Sequence, residues 1–127
     1  MKRVTGIGGI FFKSKDPEQT KAWYQRHLGI ESESWGAQLK WRAYDDPTRV
    51  CTTAWSPMAA STDYFQPGPS EFIVNYRVDN LPDLLAALRT EGIEQIGEMQ
   101  EFEYGKFAWI LDPDGNKIEL WKLVAEN

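Results

Sequence analysis

An α+β fold of two βαβββ modules is what this chain of 127 residues predicts. Three observations carry that expectation. Trp41-Arg42-Ala43-Tyr44-Asp45-Asp46-Pro47 matches Phe107-Ala108-Trp109-Ile110-Leu111-Asp112-Pro113, and the match runs on without a gap to Trp55 and Trp121, each pair 66 positions apart. A weaker pairing extends it upstream. Gly9 to Ser14 leads into Asp16-Pro17, as Ile73 to Val78 leads into Asn80-Leu81-Pro82, 64 positions on. Between these ends, apolar residues switch from a spacing of two to helical spacing and back, once in each half.

Each element has its own signals. The first strand runs through Gly9-Ile10-Phe11-Phe12-Lys13-Ser14. The first helix has Asp16 as N-cap, Pro17 in its first turn and Gly29 past its end. Ala22, Trp23, Leu28 and Tyr24 are its expected apolar stripe. Residues 56–70 hold three prolines, Gly68 and small polar residues, and read as a connection. The division is module one 1–56, linker 57–70 and module two 71–127. The second helix starts at Asp79 or Asn80, carries Leu81, Leu84, Leu85 and Leu88 at helical spacing, and ends at Gly92. Asp112-Pro113-Asp114-Gly115-Asn116 marks a hairpin turn.

Alternation assigns faces. Val74, Tyr76 and Val78 should meet the second helix, leaving Ile73, Asn75 and Arg77 for the concave side. In the last strand Ile118 and Leu120 should face the helix, and Glu119 and Trp121 the concavity. Gly9, Phe11 and Lys13 are the matching inward set of the first strand.

Composition narrows the functions. Hydrophobic residues make up 42% and charged residues 26%, as in ordinary soluble domains. No apolar run approaches the roughly 18 residues that span a bilayer, and no signal-peptide pattern follows the basic start. Cys51 is the only cysteine, so an internal disulfide and a thiolate zinc site are excluded and a cytoplasmic setting is expected. His27 is the only histidine and is expected to be structural. The net charge of −5 disfavours nucleic acid and suits cationic or neutral small ligands. Six Trp, five Tyr and six Phe call for an aromatic core or pocket.

The paired modules, Ala22-Trp23-Tyr24-Gln25-Arg26-His27-Leu28-Gly29 and Asp112-Pro113-Asp114-Gly115-Asn116-Lys117-Ile118-Glu119-Leu120 resemble the glyoxalase/bleomycin-resistance/dioxygenase (vicinal oxygen chelate) superfamily over nearly the whole chain. The resemblance implies a cup-shaped fold, frequent homodimers and, in the family's enzymes, one divalent metal held from the first and last strands of both modules. Those positions fall on Gly9, Ile73, near Thr53 and on Glu119. One carboxylate is too few for a hard divalent cation, so no metal and no cofactor is expected.

The expectation is therefore a cytoplasmic homodimer that binds a small organic molecule in an aromatic cup, with no nucleic acid or membrane partner. Antibiotic sequestration is one version. Phe11, Trp41, Thr53, Trp55, Asn75, Arg77, Trp109, Glu119 and Trp121 are the candidate contacts. Asn75 suits an amide or carbonyl, and Arg77 suits a carboxylate or phosphate. Glu119 is the best catalytic candidate, and its alternatives are a contact for a cation or a paired cup residue. The competing expectation is a lactoylglutathione-lyase-like lyase or isomerase, or a dioxygenase, acting on a small carbonyl or glutathione-type substrate. Glu119 would then be its base, with Arg77 or Lys106 stabilising an oxyanion. A third reading is an interaction module using Tyr64-Phe65, which as linker aromatics are expected to form a lid, a dimer contact or packing against the sheet edge.

Overall fold

The computed structural model describes residues 3–123. They form one seven-stranded mixed sheet and two helices, in the order β1 (Val4–Ser14), α1 (Pro17–Leu28), β2 (Ala37–Arg42), β3 (Val50–Ala59), β4 (Phe72–Val78), α2 (Leu81–Thr90), β5 (Gln100–Phe102), β6 (Gly105–Leu111) and β7 (Lys117–Leu123). Across the sheet the strands run β2-β3-β1-β4-β7-β6-β5. The two modules meet where β1 and β4 pair antiparallel, and in each the first strand pairs parallel with the last. No described helix is long and apolar enough to cross a membrane.

Both helices start as their sequences dictate. The Asp16 carboxylate accepts from Gln19 N–H, and Gly29 ends α1 at φ 72°, where a side chain would be strained. Asn80 caps α2 by accepting from Asp83 N–H. Leu81, Leu84 and Leu85 are buried with Val78, Ala108 and Leu120, and Tyr76, Leu88, Ile110 and Ile118 pack around them. Fully burying each such leucine stabilises the fold by roughly 1.5–3 kcal/mol. This is the helix face expected for β4 and β7.

Module one departs from its expected plan. The stretch before β2 is a tight turn, with mutual backbone hydrogen bonds between Glu33 and Gly36, so this module has three strands and module two has four. The expected stripe of α1 is not buried either. Trp23 is 53% and Leu28 61% exposed, while Lys21 is buried. The Lys21 ammonium donates to the Ser34 carbonyl at 2.7 Å and the Glu33 carbonyl at 3.3 Å, pinning the turn to the helix. Strand β3 runs to Ala59, so the connection is 60–71 and not 57–70. Pro57 is tolerated there because β2 pairs with β3 only as far as Trp55.

The largest correction concerns β3. The 66-residue repeat equates Thr53 with Glu119 and Trp55 with Trp121. The strand registers do not. Phe11 pairs with Ser56 as Asn75 pairs with Glu119, and Ile10 pairs with Trp55 as Val74 pairs with Ile118. Ser56 is therefore the counterpart of Glu119, 63 positions away. The gapless repeat also runs through turns of different length, 43–49 in module one and 112–116 in module two, so it cannot keep register on both sides of them. The shift of three is odd, and an odd shift turns a strand over. Trp55 consequently packs against α1, 4.9 Å from the Tyr24 ring and 5.6 Å from the Phe12 ring.

Candidate functional site

The concave side of the sheet holds a cavity of about 850 Å³. Its walls are Phe11 from β1, Gln38 and Lys40 from β2, Thr52, Ala54, Ser56 and Met58 from β3, Asn75 from β4, Phe107 from β6, and Glu119 and Trp121 from β7. Trp35, Tyr64 and Tyr104 enter from connecting segments. Trp35 is held in place through its carbonyl, which accepts from the Ser56 hydroxyl. Phe107 and Trp121 stack at 5.4 Å and 15°, giving the cup one flat aromatic wall.

Four of the nine candidate contacts, Phe11, Asn75, Glu119 and Trp121, line this cavity. Trp109 lines a second cavity of about 440 Å³ beside it, and Tyr64, Tyr104, Phe107 and Glu119 border both. The other four lie elsewhere. Trp55 and Thr53 are on the α1 face for the register reason above, and the Thr53 hydroxyl donates to the Ile7 carbonyl at 2.6 Å. Trp41 donates through Nε1 to Thr53 Oγ1 at 2.7 Å. Arg77 is 3% exposed and lies between Trp41 and Trp121, 5.9 and 5.6 Å from their rings. Its guanidinium donates to the Thr52 carbonyl at 2.9 Å, so it braces Trp121 from below. Lys106 shares the face of Ala108 and Leu120, away from the cup.

The floor is the Asn75–Glu119 pair of neighbouring strands. Both are almost wholly buried, at 1% and 3% exposure. Glu119 Oε1 accepts from the Tyr64 hydroxyl at 2.5 Å, and Trp109 Nε1 donates to that hydroxyl oxygen at 3.2 Å. Among the described residues, Glu119 Oε2, both polar atoms of the Asn75 carboxamide and Trp121 Nε1 have no hydrogen-bond partner. Buried polar atoms are normally satisfied, so four orphans around one cavity mark a place built for something else. Gly8 keeps the Asn75 carboxamide where it is, because a Cβ there would stand 2.2 Å from Oδ1.

Burial pushes the Glu119 carboxyl above its ordinary range. The Tyr64 hydroxyl, the adjacent Asn75 side chain and Lys117 oppose this and do not overcome it. Asn75 acts by proximity, as no contact between it and Glu119 meets hydrogen-bond geometry. Burial also lowers the Lys117 ammonium and raises the Tyr64 phenol, the latter reinforced by the Glu119 charge. Lys117 is committed elsewhere, donating to the Tyr64 carbonyl at 2.7 Å and lying 4.9 Å over the Tyr64 ring.

Tyr64 is the residue whose place in the site the sequence does not reveal. As one of two linker aromatics it is expected to form a lid, a dimer contact or edge packing. Its partner Phe65 is 2% exposed and anchors the connection, and Tyr64 reaches inward to Glu119. Ser56, Ala54 and Thr52 were hidden by the register slip, and the sequence carries no local signal that exposes it.

A divalent metal requires a donor set. The register equates Phe11 and Ser56 in module one with Asn75 and Glu119 in module two. A phenyl ring, a hydroxyl, a carboxamide and one carboxylate do not fit such an ion. Among the described residues no group of three or more His, Cys, Asp or Glu is placed to hold a metal.

Residues 6–120 match the family model described as glyoxalase/bleomycin resistance protein/dioxygenase superfamily. No curated protein matches the chain. Among solved structures, methylmalonyl-CoA epimerase of Streptomyces coelicolor in complex with 2-nitronate-propionyl-CoA is similar, with a TM-score of 0.73 and 15% identity, covering 96% of this chain and 99% of that one. The Mycobacterium tuberculosis methylmalonyl-CoA epimerase has a TM-score of 0.64 at 16% identity, covering 98% and 92%. A Mn(II)-bound glyoxalase from Novosphingobium aromaticivorans has a TM-score of 0.62 at 20% identity, covering all of this chain and 42% of that one. At these identities the likeness is one of fold.

Proposed function

From the premise that this chain belongs to the glyoxalase/bleomycin resistance protein/dioxygenase superfamily, we propose that it binds a small organic ligand in its aromatic cup without a catalytic metal. The observation that carries the reading is the set of orphaned polar atoms on Asn75, Glu119 and Trp121 around one aromatic-walled cavity. A concave, mostly apolar site with a few convergent polar groups is the usual form of a small-molecule site. Phe11, Phe107 and Trp121 supply the walls, and Asn75 and Glu119 orient the ligand. Antibiotic sequestration is one form this takes. The proposed form is a cytoplasmic homodimer, and among the described residues β2 and β5 are the outer strands of the sheet.

A second reading has one specific observation in its favour, the 2.5 Å contact between Tyr64 and Glu119. In a lyase or isomerase acting on a small carbonyl compound, Glu119 is the base. Tyr64 and Asn75, not Arg77 or Lys106, are then the groups near an oxyanion. Fold likeness to epimerases and a glyoxalase supports this class only by analogy.

Elemental analysis of the purified protein, with a thermal-shift series over manganese, iron, nickel and zinc, tests the metal-free reading. We expect no stoichiometric metal and no shift. A shift of several degrees with one metal would overturn it. A small-molecule screen read by tryptophan fluorescence follows, with Trp121→Ala expected to abolish the response and Glu119→Gln assayed for lost turnover.

A further inference from the structure

The balance of charge inside the cup restricts what it takes. Among the described residues lining it, the one carboxylate is Glu119, on the floor, and the one cation is Lys40, on the exposed edge strand β2. Lys40 donates to Thr52 Oγ1 at 3.1 Å. The groups around Glu119 are accounted for strand by strand. On β7, Lys117 is tethered to the Tyr64 carbonyl, and Asp63 in the connection acts on it. The Tyr64 hydroxyl occupies Oε1, and Tyr104 stands beyond Tyr64. β4 presents neutral Asn75, with Arg77 directed to the Thr52 carbonyl, and β6 presents Trp109. No cation reaches Oε2, which has no hydrogen-bond partner. Asn75 Oδ1 also lacks a donor among the described residues, but it is turned to the β1 backbone at Gly8.

We propose that the cup takes an organic ammonium ion with a flat apolar body, seated against the Glu119 carboxyl, and that one proton leaves Glu119 for solvent as it binds. The proposal rests on the ligand-binding reading of the cup and adds the ligand class and a proton coupling. The ammonium donates to the Glu119 carboxylate and keeps its own protons. The Glu119 O–H bond breaks, the proton passes to water, and a neutral carboxyl becomes the partner of the cation. The stacked Phe107 and Trp121 rings receive the flat body and add a cation–π face. A carboxylate or phosphate ligand would bring a second anion onto Glu119 and find no cation on the floor. The upward displacement of the Glu119 carboxyl by burial agrees with the coupling, because the empty cup then keeps the proton to a higher pH.

Calorimetry on the unaltered protein tests this with three probes sharing one ring system: tryptamine, the neutral indole-3-ethanol and the anionic indole-3-acetate. Tryptamine is expected to bind about tenfold or more tighter than either of the others. Its measured heat should differ between phosphate and Tris buffers by an amount that reports release of up to one proton. Its affinity should rise with pH by at most about tenfold per unit until Glu119 is ionised, and then level off. Glu119→Gln should remove the buffer dependence and the preference for the cation. Comparable binding of tryptamine and indole-3-ethanol, or no proton release, overturns the proposal and leaves the binding cup standing. Failure of all three to bind at about 10 mM overturns both, since fragments of this size reach millimolar affinity in a real pocket. The proton count needs no variant, so a poorly folding Glu119→Gln does not obscure the result.

Discussion

Replacing Tyr64 by Phe removes one hydroxyl and leaves Glu119 with no hydrogen-bond partner on either carboxyl oxygen. It also leaves Trp109 Nε1 without its acceptor. The cost depends on the charge of Glu119. A hydrogen bond to a buried carboxylate contributes about 1.5–3 kcal/mol, against about 0.5–1.5 kcal/mol for a neutral pair. The sign of the pH dependence follows from burial. Glu119 has a folded-state pKa raised above its unfolded value, so its contribution to stability is fully present below the usual carboxylate range. That contribution is lost as pH rises through the folded-state value. Tyr64 lessens the loss, because its hydroxyl favours the charged carboxylate. Tyr64→Phe therefore costs more at pH 8 than at pH 4. Taking a Tm change of about 3–5 °C per kcal/mol for a chain of this size, the expected drop is roughly 5–15 °C at pH 8 and roughly half of that or less at pH 4. Thermal melts of both proteins across pH 4–8 measure it, with Tyr64→Phe/Glu119→Gln closing the cycle. An equal drop at both ends of the range would refute the reasoning, because the contact would then be indifferent to the charge on Glu119.

Glu119→Gln should stabilise the protein at alkaline pH by about 1–3 kcal/mol, since it removes a buried charge, and melts at pH 8 check this. Trp55→Ala should cost about 3–5 kcal/mol by removing a ring packed on Tyr24 and Phe12, seen as a lower denaturation midpoint. In whatever remains folded, affinity for a cup ligand should be unchanged, whereas Trp121→Ala should lose affinity with a smaller loss of stability. Gly8→Ala should push the Asn75 carboxamide aside at a cost of about 1–3 kcal/mol, and ligand titration should show weaker binding even where the fold survives.

The elements legible in the sequence were those written in local chemistry. The Asp112 side chain accepts from the N–H groups of both Asp114 and Asn116, so the hairpin signal was complete within five consecutive residues. The leucines of α2 are one face of a short helix, and the alternation of β4 and β7 follows from a fixed period of two. These gave the floor of the cup, Asn75 and Glu119, together with Trp121. The rest depended on distances the sequence does not display. Which face Trp55 presents depends on the register of β3 against β1, where it pairs with Ile10, and no local pattern displays that register. Arg77 alternates toward the concave side as expected and is then covered by Trp41, a residue 36 positions earlier. Tyr64 reaches Glu119 across 55 positions, from a segment whose composition says only that it is not regular. Lys21 reads as a solvated helix residue and is 7% exposed because a turn that interrupts the strand plan sits over it.

The modules are alike in topology and unlike in what they place in the cup. Across the register-matched positions, one half offers Phe11 and Ser56, with Ser56 already spent on the Trp35 carbonyl. The other offers Asn75 and Glu119, both with atoms to spare. On the ligand-binding reading proposed above, the second half grips and the first half shapes one wall. Gln38, Thr52, Ala54 and Met58 line that wall from β2 and β3, on strands other than those of the Asn75–Glu119 pair. A lineage carrying this scaffold has a short route to new ligands of the same charge, by resizing one wall, and a long route to ligands of opposite charge, which would require rebuilding the floor.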